Sequence, residues 1–163
     1  MKKTITTIAL ALVAVVALAQ SPRSIYTRYS DEKGVSAVYI SQAMFRLIGR
    51  IPEIEMNDSD VDLSPIIKSL SGMYILSCED RKVAERLHAD VKKYISSGDY
   101  ELLLEAKDDG DLVRMYTVGD EKTVKSFVLL STESDGETSF ISFEGEIPRD
   151  RLEEAVAGVA VNY

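Results

Sequence analysis

One histidine, one cysteine and three alternating aspartates are the residues of this 163-residue chain most able to do chemistry. His88 has no second histidine and no neighbouring cysteine, which disfavours a zinc ligand set around it. As the base of a serine–histidine–acid triad it would need a nucleophile elbow, and no G-x-S-x-G occurs; Ser71-Gly72 falls at a helix–strand junction, where glycine is expected anyway. Cys78 is alone, which excludes an internal disulfide, and it follows Ile75-Leu76-Ser77 in a strand-like run that would bury an inert thiol. Asp58, Asp60 and Asp62 invite a calcium loop. That motif requires glycine at its sixth position and glutamate at its twelfth, and Leu63 and Ser69 stand there. Asn57-Asp58-Ser59 matches a glycosylation acceptor, which matters only in a eukaryotic secretory route. Phosphate-cradling glycine loops are absent. Glu101 and Glu105 are spaced for a solvated, salt-bridged strand rather than a tuned acid–base couple. The residues therefore offer no catalytic, cofactor-binding or metal-binding set, and the expectation is a protein that is not an enzyme.

Any function must then lie in surfaces, and the chain's organisation decides which surfaces exist. Met1 to Ala19 reads as a secretory signal peptide: Lys2-Lys3, an apolar run from Ile5 to Leu18, and small residues at Ala17 and Ala19 for cleavage. Gln20 begins the mature chain, so no cysteine is present there to carry a lipid anchor, and no other run is long enough to span a bilayer. Residues 20–163 are expected to form one domain, long enough for a single core without staples. Loss of Lys2 and Lys3 moves the formal charge from -8 to -10, which disfavours nucleic acid and anionic lipid as partners.

The elements alternate in type. Ile25, Tyr26 and Tyr29 have the spacing of a short helical turn, and Val35 to Ile40 follows Gly34 as a first strand. Ser41 caps a helix from Gln42 to Arg50, ended by Pro52, and an acidic loop runs from Glu53 to Asp62. Ser64-Pro65 opens a short helix, Met73 to Cys78 is a second strand, and the longest helix starts at Asp80 or Glu79 and runs to about Ser96. Val83, Ala84, Leu87, Val91, Tyr94 and Ile95 recur along that helix at 3.6-residue spacing. Leu152, Ala155, Val156 and Val159 make a last apolar stripe.

Between about residues 100 and 147, four β-rich runs are divided by three turn signals, two of them Asp-Gly. Two-residue turns at Asp109-Gly110 and Asp135-Gly136, with a four-residue loop at Gly119 to Lys122, give an antiparallel meander. One face then gathers Leu102, Leu104, Ala106, Val113, Met115, Val124, Val128, Leu130, Ile141 and Phe143 and is the expected core face, and Glu105 falls opposite Arg114. The other face carries Leu103, Tyr116, Phe127, Leu129 and Phe140, more apolar than a wetted sheet needs. Either these five form an interaction surface, or a helix covers them as ordinary core. The fold class is α+β. The two N-terminal strands, joined through helices, extend the meander into a mixed sheet, with helices on at least one face.

Three stretches also carry a resemblance. Ile25-Tyr26-Thr27-Arg28-Tyr29, the run from Gly34 to Phe45, and Ser71-Gly72-Met73-Tyr74-Ile75-Leu76, placed between a signal peptide and a hairpin-rich second half, resemble the domain of unknown function 4252 family of small exported Bacteroidetes proteins. The resemblance implies a Gram-negative periplasmic or secreted location, with the signal cleaved after Ala19, and carries over no catalytic or binding residue. The combined expectation is a non-enzymatic protein-interaction module of the cell envelope, without a stable membrane anchor. Its partner is another envelope protein, and a homodimer is one form that partnership can take. The alternative is a periplasmic small-ligand-binding protein with a pocket between sheet and helices.

Overall fold

The computed structural model describes residues 21–48 and 64–153. The expected signal peptide, the acidic loop with Asp58, Asp60 and Asp62, and the stripe beyond Glu153 lie outside them.

Six strands form one open sheet: β1 (Val35–Ser41), β2 (Leu70–Cys78), β3 (Glu101–Asp108), β4 (Asp111–Gly119), β5 (Thr123–Thr132) and β6 (Thr138–Pro148), in the order β1-β2-β6-β5-β4-β3. Helices α1 (Pro22–Tyr29) and α4 (Arg81–Ser96) pack on the front face. On the back, α2 (Gln42–Ile48) and α3 (Ser64–Ser69) pack at one end. The α+β class and the four-stranded meander are therefore present. The mixed sheet is not: every pairing is antiparallel, including β1 with β2. A parallel crossover needs a connection that returns the chain along the full strand. Ser41 pairs with Gly72, so the chain re-enters at the end where it left. The return crossover is made instead by α4, whose sixteen residues carry the chain from β2 to the far edge at β3.

Local chemistry explains the helix starts. Asp80 caps α4 by accepting from the backbone N–H of Lys82 and of Val83, both at 3.0 Å. Ser21 caps α1 with a reciprocal bond to Ser24, and Pro22 occupies the first turn, where its missing N–H costs nothing. The predicted stripe of α4, Val83 through Ile95, is buried throughout and meets Leu76, Val128, Leu130 and Phe140 of the sheet.

The register departs from expectation in two places. At Asp109-Gly110 both residues have positive φ, 42° and 96°, so the two-residue turn forms and Glu105 lies opposite Arg114. At Asp135-Gly136 only the glycine has positive φ. The strands close one residue earlier, with the Glu133 N–H donating to the Glu137 carbonyl at 2.8 Å. Leu130 therefore opposes Phe140 rather than Ile141. At the middle turn, Thr117 opposes Phe127 rather than Val124. Each slip is an odd number of residues, and each turns a strand over. The two cancel for β6, so Ile141 and Phe143 do share a face with Leu104 and Met115. Strand β5 is reversed from Ser126 onward: Val128 and Leu130 belong to the front core, Phe127 and Leu129 to the back, while Val124, before the bulge, stays on the back. The expected core face is thus split between the two sides, and its Leu104 and Ala106 are exposed. A bulge between Leu102 and Leu104 likewise moves Leu102 to the front, opposite Tyr116.

Candidate functional site

The corrected register redistributes the expected interaction surface. Phe140 is fully buried in the front core, and Tyr116 packs against that core from beside it. Leu103 is exposed at the β3 bulge. Phe127 and Leu129 turn to the back with the reversed part of β5, so the five residues are not one surface.

What the back face carries instead is ordered in rows perpendicular to the strands. Val38, Ile75, Ile141, Leu129, Met115 and Leu104 are successive partners, one from each strand, forming an apolar row across the whole sheet. With strands about 4.8 Å apart, that row is about 24 Å long. A second row, Ile40, Met73, Phe143 and Phe127, runs beside it, and Ser36, Ser77, Ser139 and Ser131 bound the band on its other side. Ser139 donates to the Ser77 hydroxyl at 3.2 Å, which donates in turn to Glu137 at 2.6 Å.

Coverage of the band is uneven. Around Phe45, Leu70, Val124 and Ile147 a small closed core forms where α2, α3 and Leu152 seat against the sheet. Beyond it, Met115, Leu129 and Ile141 are only half-buried, and the row's ends, Val38 and Leu104, are 48% and 47% exposed. Ile66, Leu70, Met73, Met115, Phe127, Leu129, Ile141, Phe143, Ile147 and Leu152 enclose an open groove of about 350 Å³. Every lining side chain is apolar. The groove can desolvate an apolar partner surface but offers no polar side chain to orient a small molecule.

The residues first suspected of chemistry lie elsewhere. His88 points from α4 to Thr132, Nδ1 to Oγ1 3.1 Å, and burial with nearby Lys92 and Arg114 holds its pKa below the ordinary 6.5. It lines an open polar cleft with Arg81, Glu85 and Glu133. Cys78 is fully buried, and burial pushes its thiol pKa up, away from a nucleophilic thiolate. Among the described residues no three of His, Cys, Asp or Glu converge as a metal would require. None of their helices is long and apolar enough to cross a membrane.

The front face holds a polar group that sequence reasoning passed over. Ser126 and Ser142 are buried with no hydrogen-bond partner among the described residues, and Glu144 lies opposite Ser126 with its pKa raised by burial. The signal existed in the alternation of β6, Phe140-Ile141-Ser142-Phe143-Glu144, which puts Ser142 and Glu144 on the side of Phe140.

Residues 29–155 match the model of a family described as domain of unknown function (DUF4252). No curated protein matches the chain. No solved structure matches it either.

Proposed function

Since the chain belongs to the DUF4252 family, whose description names no activity, we propose from the geometry that it is an exported, non-enzymatic envelope module whose back face receives an apolar helix of a protein partner. The observation that carries this reading is the half-exposed row from Val38 to Leu104, continuous over six strands and bounded by serines. The front of the same sheet supplies the precedent. There α4, sixteen residues and about 24 Å long, lays a stripe of Val83, Leu87, Val91 and Tyr94 over the strands. The back row has the same length and the same chemistry. Export rests on the Lys2-Lys3, Ile5–Leu18 and Ala17-Leu18-Ala19 pattern, which leads to the periplasm or beyond, with Gln20 as the first mature residue.

A labelled amphipathic peptide of about sixteen residues, leucine on one face, tests the groove by fluorescence anisotropy. Binding weakened at least about tenfold by Leu129→Asp is the expected result. Binding of a fluorescent fatty acid without the peptide would favour the small-ligand reading, since the volume falls within the range of ligand pockets. Binding of neither would remove the groove as the site.

A further inference from the structure

Strand β3 ends the sheet, and it is the one described strand in which every residue is exposed. Leu102 and Leu103 are each 52% exposed. Edge strands present unpaired N–H and C=O groups, and proteins blunt them with proline, outward lysine, bulges or a covering element. Strand β3 is eight residues long with no proline, and its one lysine, Lys107, is folded back onto Glu105 at 2.8 Å. The bulge at Leu103 leaves 104–108 regular.

The adjoining turn decides which backbone groups face out. A two-residue turn at Asp109-Gly110 makes Asp108 and Asp111 a hydrogen-bonded pair, and bonding alternates from there. Asp108, Ala106 and Leu104 therefore spend their backbone groups on β4, while Lys107 and Glu105 direct theirs outward. We propose that this edge is a self-association surface, on which a second copy sets its β3 antiparallel about a two-fold axis at Ala106. A two-fold pairing of the outward residues has three registers. Glu105 on Glu105 and Lys107 on Lys107 bring like charges together. The third sets Glu105 against Lys107 at both ends, with Arg114 already 2.8 Å from Glu105 on the same face. Read backwards, the outward positions complement themselves, which is why the partner is a second copy. The proposal stands apart from the groove on the back face.

Sedimentation velocity between about 1 and 100 µM is expected to find a dimer of the native chain. Lys107→Glu and Glu105→Lys each place like charges across the joint and should raise the dimer Kd at least about tenfold, with the circular dichroism of the fold kept. Mixed in equal amounts, the two variants restore both opposite-charge pairs, and native mass spectrometry should find the heterodimer. A native chain that stays monomeric over the range, a variant that dimerises as tightly as the native chain, or a mixture that stays monomeric would overturn the assignment.

Discussion

Phe140 and Ile141 are consecutive in β6, yet one is sealed among Leu76, Leu87, Val91 and Val128 while the other half-faces solvent in the groove. Phe140→Ala removes contacts on every side of a ring that cannot be replaced by collapse, and should cost about 3–5 kcal/mol in urea unfolding. Leu104→Ser, at the exposed end of the apolar row, should stay within about 0.5 kcal/mol of the native chain. Glu144 obeys a different rule. Burial raises its folded pKa above the ordinary 4.5, so the unfolded chain ionises more readily than the folded one. Above the folded pKa the buried charge opposes folding, and that opposition disappears as pH falls through the folded value to the unfolded one. Glu144→Gln should therefore raise Tm at pH 7, with the gain gone by about pH 4. A gain that grows on acidification would contradict the assignment.

At the scale of elements, caps and turn types carry the fold. Replacing Asp80 by Ala leaves the N–H groups of Lys82 and Val83 without their shared acceptor, and a loss of about 1 kcal/mol is expected in thermal or chemical unfolding. Gly119 is more demanding. A Cβ there would lie 2.1 Å from the Thr123 carbonyl oxygen and 2.9 Å from the Val124 Cα, so Gly119→Ala must displace the β4–β5 turn. A loss of about 1–3 kcal/mol should follow, with chemical-shift changes centred on residues 118–126. These positions also show what was legible beforehand. The α4 stripe could be read because six apolar residues obey one period, whereas Glu79 and Asp80 both fit its start until the bonds to Lys82 and Val83 single out Asp80. The β5 face could not, because two loops set it: the β4–β5 connection shifts the pairing by three residues, and Asp-Gly describes two turns of different length. An odd shift at the β4–β5 connection decides whether Val128 or Phe127 is buried under α4. The groove was invisible for the same reason: its row exists only when all five registers are right.

For the whole molecule, antiparallel order with one long crossover makes the two ends of the sheet unequal. Strands β2, β6 and β5 lie in the middle, hold Leu76, Phe140 and Val128 at full burial, and are clamped by α1 and α4. Strand β3 is joined to this centre only through β4 and shelters none of its eight side chains. Local opening free energy follows buried apolar contact, so amide protection should descend from the centre toward β3. At low protein concentration, hydrogen exchange should be slowest at Phe140 and Val128, and the outward amides of Glu105 and Lys107 should exchange without measurable protection. Raising the concentration should slow those two amides while leaving the β6 amides unchanged, because pairing at the edge protects only what faces the second copy. Equal protection across all six strands at low concentration would mean that β3 belongs to the same cooperative unit as the core, and that its exposure does not loosen it.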